Sequence, residues 1–101
     1  LKIVCFGHAG DGNIHVNILV DRGDAAARER AARAVADVLA AAVALGGAIS
    51  GEHGIGLTKR EYLPLSLSPD VLDVSRRIKR AFDSRGIPNP GKIFPAEPDR
   101  R

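Results

Sequence analysis

Methionine and tryptophan are absent, cysteine occurs once, and the aromatic residues are three Phe and one Tyr. A single cysteine cannot form an internal disulfide, so no disulfide framework staples this fold, which points to a reducing compartment. Cys5 sits in an apolar run and reads as a small buried hydrophobe. With so few aromatics, the core has to be built from Ala, Val, Leu and Ile. No run approaches the ~18 apolar residues of a membrane-spanning helix, and no signal peptide is visible. These absences together lead to an expectation of a cytoplasmic protein, mitochondrial if the source is eukaryotic. The missing Met, with Leu1 opening directly into the apolar run Leu1–Phe6, leads to a second expectation: residues 1–101 are one domain, a C-terminal fragment of a longer chain.

Charge is equally undramatic. The net charge is +3 and the isoelectric point about 9.5. The basic residues are dispersed (Arg28, Arg30 and Arg33; Arg76, Arg77, Lys79 and Arg80; Arg100 and Arg101), with acidic residues between most of them. That pattern fits solvated helix faces. A nucleic-acid surface calls for a denser basic stripe, and for stacking aromatics where the partner is single-stranded, so no nucleic-acid partner is expected.

The chain does concentrate chemistry in two short blocks, Gly7-His8-Ala9-Gly10-Asp11-Gly12-Asn13-Ile14-His15-Val16-Asn17 and Ser50-Gly51-Glu52-His53-Gly54-Ile55-Gly56. They hold all three histidines and six of the eleven glycines. Side chains that ligate metals or move protons thus sit among residues that let backbone approach closely, as an active site requires.

Local signals order the rest. Residues 1–6 and 13–20 read as strands, and the Gly-Asp-Gly-Asn segment between them as a hairpin turn. Period two in the second strand puts His15 and Asn17 on one face. Asp24 is placed to cap a helix over residues 25–45, with Ala31, Val35, Val38, Ala42 and Leu45 facing inward and Gly46-Gly47 ending it. Residues 47–51 suit a short strand, and a helical turn is expected from Thr58 to Leu63, ended by Pro64. Ser68-Pro69 marks the start of a helix reaching about Arg85, its inner face formed by Leu72, Ser75, Ile78 and Phe82. The expected fold is α+β: a small antiparallel sheet with the two main helices packed on one face. The opposite face, left exposed, would carry the site and favour self-association as a homodimer.

If the turn closes a hairpin, His8 and His15 can face each other across it, with Cβ atoms roughly 4.5–5.5 Å apart, close enough to share a metal ion. The plainer reading makes His8 a turn residue and His15 an ordinary strand residue. Glu52 offers a carboxylate, and its plainer reading is a surface group in a glycine loop. Two His and one Glu form the ligand set of an open zinc site and resemble the facial triad of non-haem iron, so the residue types point to a divalent metal, zinc or manganese among the options. His53, the next residue, would point away from an ion held by Glu52 and suits a general base. Gly51, Gly54 and Gly56 clear space for a flat cofactor or substrate, although this stretch matches neither a phosphate loop nor a dinucleotide fingerprint.

The set Gly-His-x-Gly-Asp-Gly-Asn-x-His-x-Asn, Ser-Gly-Glu-His-Gly-Ile-Gly-x-x-Lys and Asn-Pro-Gly-Lys-Ile, in order over residues 7–93, resembles the C-terminal domain of the FAD-linked oxidases. That family includes D-lactate dehydrogenases, the glycolate oxidase flavoprotein subunit and D-2-hydroxyglutarate dehydrogenase. The resemblance implies the C-terminal part of the substrate (cap) domain. It implies His8, His15 and Glu52 as metal ligands, Asn17 as a substrate contact and His53 as catalytic base. Gly54, Gly56, Lys59, Asn89 and Lys92 would lie on the cofactor side. It further implies FAD, held by an N-terminal domain that is the missing partner of this chain, and a 2-hydroxy acid as substrate, oxidised to a 2-oxo acid by hydride transfer. The isolated chain would then be inactive. The competing expectation is a free-standing divalent-metal-binding domain without redox activity.

Overall fold

The computed structural model describes residues 1–96, so Arg100 and Arg101 lie outside the described residues. The described chain forms two compact units, Leu1–Glu52 and a second from His53 onward. The class is α+β.

In the first unit, β1 (Lys2–His8) and β2 (Asn13–Leu19) form a two-stranded antiparallel sheet. The tight link is residues 9–12, where Asp11 N–H donates to the His8 carbonyl at 3.1 Å and Gly12 takes φ +66°. A side chain resists that left-handed conformation, and glycine does not. The four-residue link fixes the register: His8 opposes Asn13, Phe6 opposes His15 and Val4 opposes Asn17. One sheet face therefore carries Val4, Phe6 and His8 beside Asn13, His15 and Asn17. Cys5 lies on the other face, opposite Val16, and is exposed rather than buried. A two-stranded sheet has too little cover to bury a residue on both sides.

Helix α1 spans Ala25–Ala44. Asp24 caps it, its side chain accepting the Ala27 N–H at 2.8 Å. Its buried positions are Ala27 and Ala31, with Ala34, Val38 and Ala42 half-buried along the same stripe. The expected inner positions Val35 and Leu45 are exposed instead, Leu45 by 89%. The small residues let α1 come close to β2, which it contacts, and this rotates the larger ones outward. The strand expected over 47–51 does not form. The segment is irregular, yet Ile49 is buried.

In the second unit, a 3-10 helix (η1) covers Arg60–Leu65, starting two residues later than expected and carrying Pro64 inside it. Helix α2 spans Pro69–Phe82, capped by Ser68, and stops three residues before Arg85. Asp83 causes the early stop: its carboxylate accepts the Ile87 N–H at 2.9 Å and pairs with Lys79, so the chain turns away there. The inner face of α2 also differs from expectation. Leu72 is buried and Ser75 half-buried, but Ile78 is exposed and Phe82 is 90% exposed. Arg76, Lys79 and Asp83 instead turn toward the tail beyond Gly86, where they bond its backbone. The apolar Val71, Val74 and Ile78 lie on the exposed side of α2.

Candidate metal centre

Three elements of the first unit converge on one point. β1 ends in His8, β2 brings His15, and the loop after Ile49 brings Glu52. Glu52 Oε1 lies 3.0 Å from His15 Nε2 and 3.7 Å from His8 Nε2, and one donor atom from each residue falls within 4.8 Å of the others. A tetrahedral zinc ion with bonds of about 2.0–2.1 Å holds its ligands roughly 3.3 Å apart. The two Glu–His separations bracket that spacing and the whole set lies within 4.8 Å, so the three residues form a candidate site for a small divalent cation. His8 and Glu52 are half exposed, their side chains retaining 55% and 45% accessibility, while His15 retains 19%. The exposed side leaves room for a small molecule or water beside the three side chains.

The register corrects one expectation. His8 and His15 are not directly opposed. His8 faces Asn13, and the two histidines are diagonal neighbours on the same face. Direct opposition would have needed a longer link between the strands. The diagonal still works because imidazoles are long: the ring centroids are 5.6 Å apart and nearly perpendicular. Phe6, directly opposite His15, stacks on its ring at 4.9 Å with a 26° tilt and fixes the orientation of that imidazole.

Glu52 reaches the hairpin because Gly51 has no side chain. A Cβ there would overlap Asn13 Oδ1 and sit 2.6 Å from Asn13 Cγ. Asn13 thus occupies the space that any other residue at 51 would take, and the two blocks lock together through that contact.

Sequence reasoning missed Phe6 and Asn13 as supports of the site. Counting the link as four residues would have exposed both, since it sets Phe6 opposite His15 and Asn13 opposite His8.

The other expected residues are distributed as follows. Asn17 is exposed, two positions along β2 from His15 and on the same face. His53 is exposed and opens the second unit. Gly54 and Gly56 take φ +75° and +54°, values that explain glycine at both. Lys59 is half-buried and immediately precedes η1, its N–H bonded to the Ile55 carbonyl at 3.3 Å. Asn89 (φ +47°) and Lys92 are exposed on the tail. No helix among the described residues is long and apolar enough to cross a membrane.

The family model described as FAD linked oxidases, C-terminal domain, matches residues 1–93. The glycolate oxidase subunit GlcD of Bacillus subtilis is 42% identical over 101 residues, covering all of this chain and 22% of that protein. D-2-hydroxyglutarate dehydrogenase of Stutzerimonas stutzeri is 44% identical over 99 residues, 94% of this chain and 21% of that protein. D-lactate dehydrogenase of Archaeoglobus fulgidus is 42% identical over 93 residues, 92% of this chain and 20% of that protein. The chain spans about a fifth of the length of these curated relatives. No solved structure gives a significant match.

Proposed function

The chain belongs to the family of FAD linked oxidase C-terminal domains, and from that membership we propose that it is the substrate- and metal-side part of an FAD-dependent 2-hydroxy acid dehydrogenase. Its reaction is the oxidation of a 2-hydroxy acid of the D-lactate, glycolate or D-2-hydroxyglutarate type to the 2-oxo acid. The observation that carries this reading is the convergence of His8, His15 and Glu52 within a chain of this family.

His8, His15 and Glu52 hold a divalent cation, zinc or manganese. The chemistry such a cation supplies when bound is Lewis-acid polarisation of the substrate's hydroxyl and carboxylate oxygens. Phe6 and Asn13 hold the ligands in place, through the stack on His15 and the contact with Gly51. Asn17, on the ligand face of β2, donates its side-chain amide to the substrate. His53 accepts the hydroxyl proton at a ring nitrogen, which carries a lone pair in the neutral imidazole. Gly54, Gly56, Lys59, Asn89 and Lys92 form the flavin side. The chemistry supplied by bound FAD is acceptance of the hydride from the carbinol carbon. Holding FAD falls to an N-terminal domain, so these 101 residues alone are inactive.

The test is calorimetric titration of the chain with zinc and with manganese, beside His8→Ala and Glu52→Ala. One ion per chain, lost in both variants, supports the ligand set. Equal affinity in wild type and both variants sinks it. One observation favours a second reading, a metal-binding domain without redox activity: all three ligands lie in the first unit. Addition of a family FAD-binding domain separates the two. Restored 2-hydroxy acid oxidation supports the dehydrogenase; metal binding without oxidation supports the alternative.

A further inference from the structure

We propose that Arg60 is a positioning residue: it clasps the tail at Gly91 and so maintains the Ile93–Gly56 bond that fixes the glycine loop following His53. The purpose of the clasp rests on the reading of His53 as the base; the clasp itself does not.

The bonds run as a chain of three links inside the second unit. Arg60 Nη1 donates to the Gly91 carbonyl at 2.7 Å, and its Nε donates to Glu61 Oε1 at 3.0 Å, which steadies the guanidinium. Two residues on, the Ile93 N–H donates to the Gly56 carbonyl at 2.7 Å. Gly56 closes the Gly54-Ile55-Gly56 loop, two of whose three residues have left-handed backbone and no side chain to anchor them. The Ile93 bond therefore anchors this loop from outside.

Ile93 makes that bond from an unfavourable conformation, φ +70°. A β-branched residue resists this region, and such a residue stays there only when its surroundings over-determine it. Within the turn the Phe94 N–H donates to the Lys92 carbonyl at 2.8 Å and closes a γ-turn around Ile93, and Arg60 adds a side-chain constraint from outside it. Its guanidinium binds the Gly91 carbonyl and also lies 3.5 Å from where a Gly91 Cβ would stand. Lys79 and Arg76 bond the carbonyls of Pro88 and Pro95, and Arg76 also lies over the Phe94 ring. These ties hold the two ends of the tail. Two motifs far apart in sequence, one after His53 and one at Asn89–Ile93, are thus joined by the Ile93–Gly56 bond and braced by Arg60, which belongs to neither.

The experiment is amide hydrogen exchange at Ile93 in the chain, comparing wild type with Arg60→Met and Arg60→Lys. Arg60→Met keeps the aliphatic stem and removes the donors. Ile93 should exchange at least tenfold faster in Arg60→Met and recover part of its protection in Arg60→Lys, with Leu72 in α2 unchanged. Unchanged Ile93 exchange in Arg60→Met overturns the proposal. Should Arg60→Met fail to fold, Arg60→Lys carries the same test, and wild-type protection at Ile93 together with wild-type turnover overturns it. Turnover is read in the FAD-bound parent enzyme: kcat should fall tenfold or more in Arg60→Met with KM within twofold, and recover partly in Arg60→Lys. Faster Ile93 exchange with unaltered kcat would leave the clasp standing and overturn its positioning role toward His53, whose reading as the base is tested separately by His53→Ala.

Discussion

Gly7 is the position where one methyl group does most damage. It lies in β1 opposite Ile14, with His8 as its neighbour. A Cβ at Gly7 would overlap the Asn13 carbonyl oxygen and stand 3.0 Å from Ile14 Cα. Ordinary carbon contacts are about 3.5–4.0 Å, and the obstructing atoms are backbone, so relief requires the strands to part by roughly 1 Å. Overpacking of that kind costs about 1–3 kcal/mol, or roughly 4–24 °C in Tm for a domain near this size. Two alanines in the adjoining turn serve as controls. Gly10 has open space where its Cβ would stand and no positive φ, so Gly10→Ala should leave stability unchanged or raise it by about 0.4–1 kcal/mol. Gly12 has open space but φ +66°, so Gly12→Ala should cost about 1–2 kcal/mol. Thermal unfolding followed by far-ultraviolet circular dichroism gives the ranking, and zinc titration gives its consequence. Parting the strands displaces the His8 ring from Glu52, so Gly7→Ala should also bind zinc more weakly while Gly10→Ala binds normally. A Gly7→Ala protein melting within about 2 °C of Gly10→Ala, with equal zinc affinity, would refute the steric reasoning.

Other outcomes follow from single contacts. Asp24→Ala should cost about 1 kcal/mol, and Ser68→Ala clearly less, because the Asp24 cap bond is 2.8 Å and the Ser68 bond 3.4 Å; urea unfolding of the two variants measures the difference. The Lys79 ammonium bonded to Asp83 holds that carboxyl below its ordinary range, helped by the backbone N–H of Ile87. A depressed carboxyl stabilises the fold above its unfolded value of about 3.9 and loses that contribution as pH falls through the lower folded value. The Ile87 protection factor, taken against an unstructured amide at the same pH, should therefore hold at pH 4 and fall only on further acidification; a loss already complete at pH 5 would contradict this. In the FAD-bound parent enzyme, His53→Ala should lower kcat by about 10²–10⁴-fold, the usual contribution of a positioned base, while zinc affinity stays unchanged. Loss of the metal in His53→Ala would move His53 into the ligand set.

Much of this protein is written locally. Asp24 and Ser68-Pro69 announced their helices because a cap needs only a side-chain oxygen within three residues of the amide it serves. The Gly-Asp-Gly-Asn turn announced the hairpin because the left-handed backbone at Gly12 favours glycine. The three motifs announced the family, and the residue types of the candidate metal site were legible because ligand chemistry belongs to the side chain. What the tertiary structure decided was placement. The register set His15 against Phe6 rather than His8. Gly51 admitted Asn13 and so brought Glu52 to the hairpin from 37 residues beyond His15. Helix α2 turned Arg76, Lys79 and Asp83 toward the tail, where they bond its backbone, and left Phe82 in solvent, against its own hydrophobic pattern. Arg60 carried no signal in sequence at all, since an arginine donating to a carbonyl 31 positions away is indistinguishable, before folding, from one that faces water.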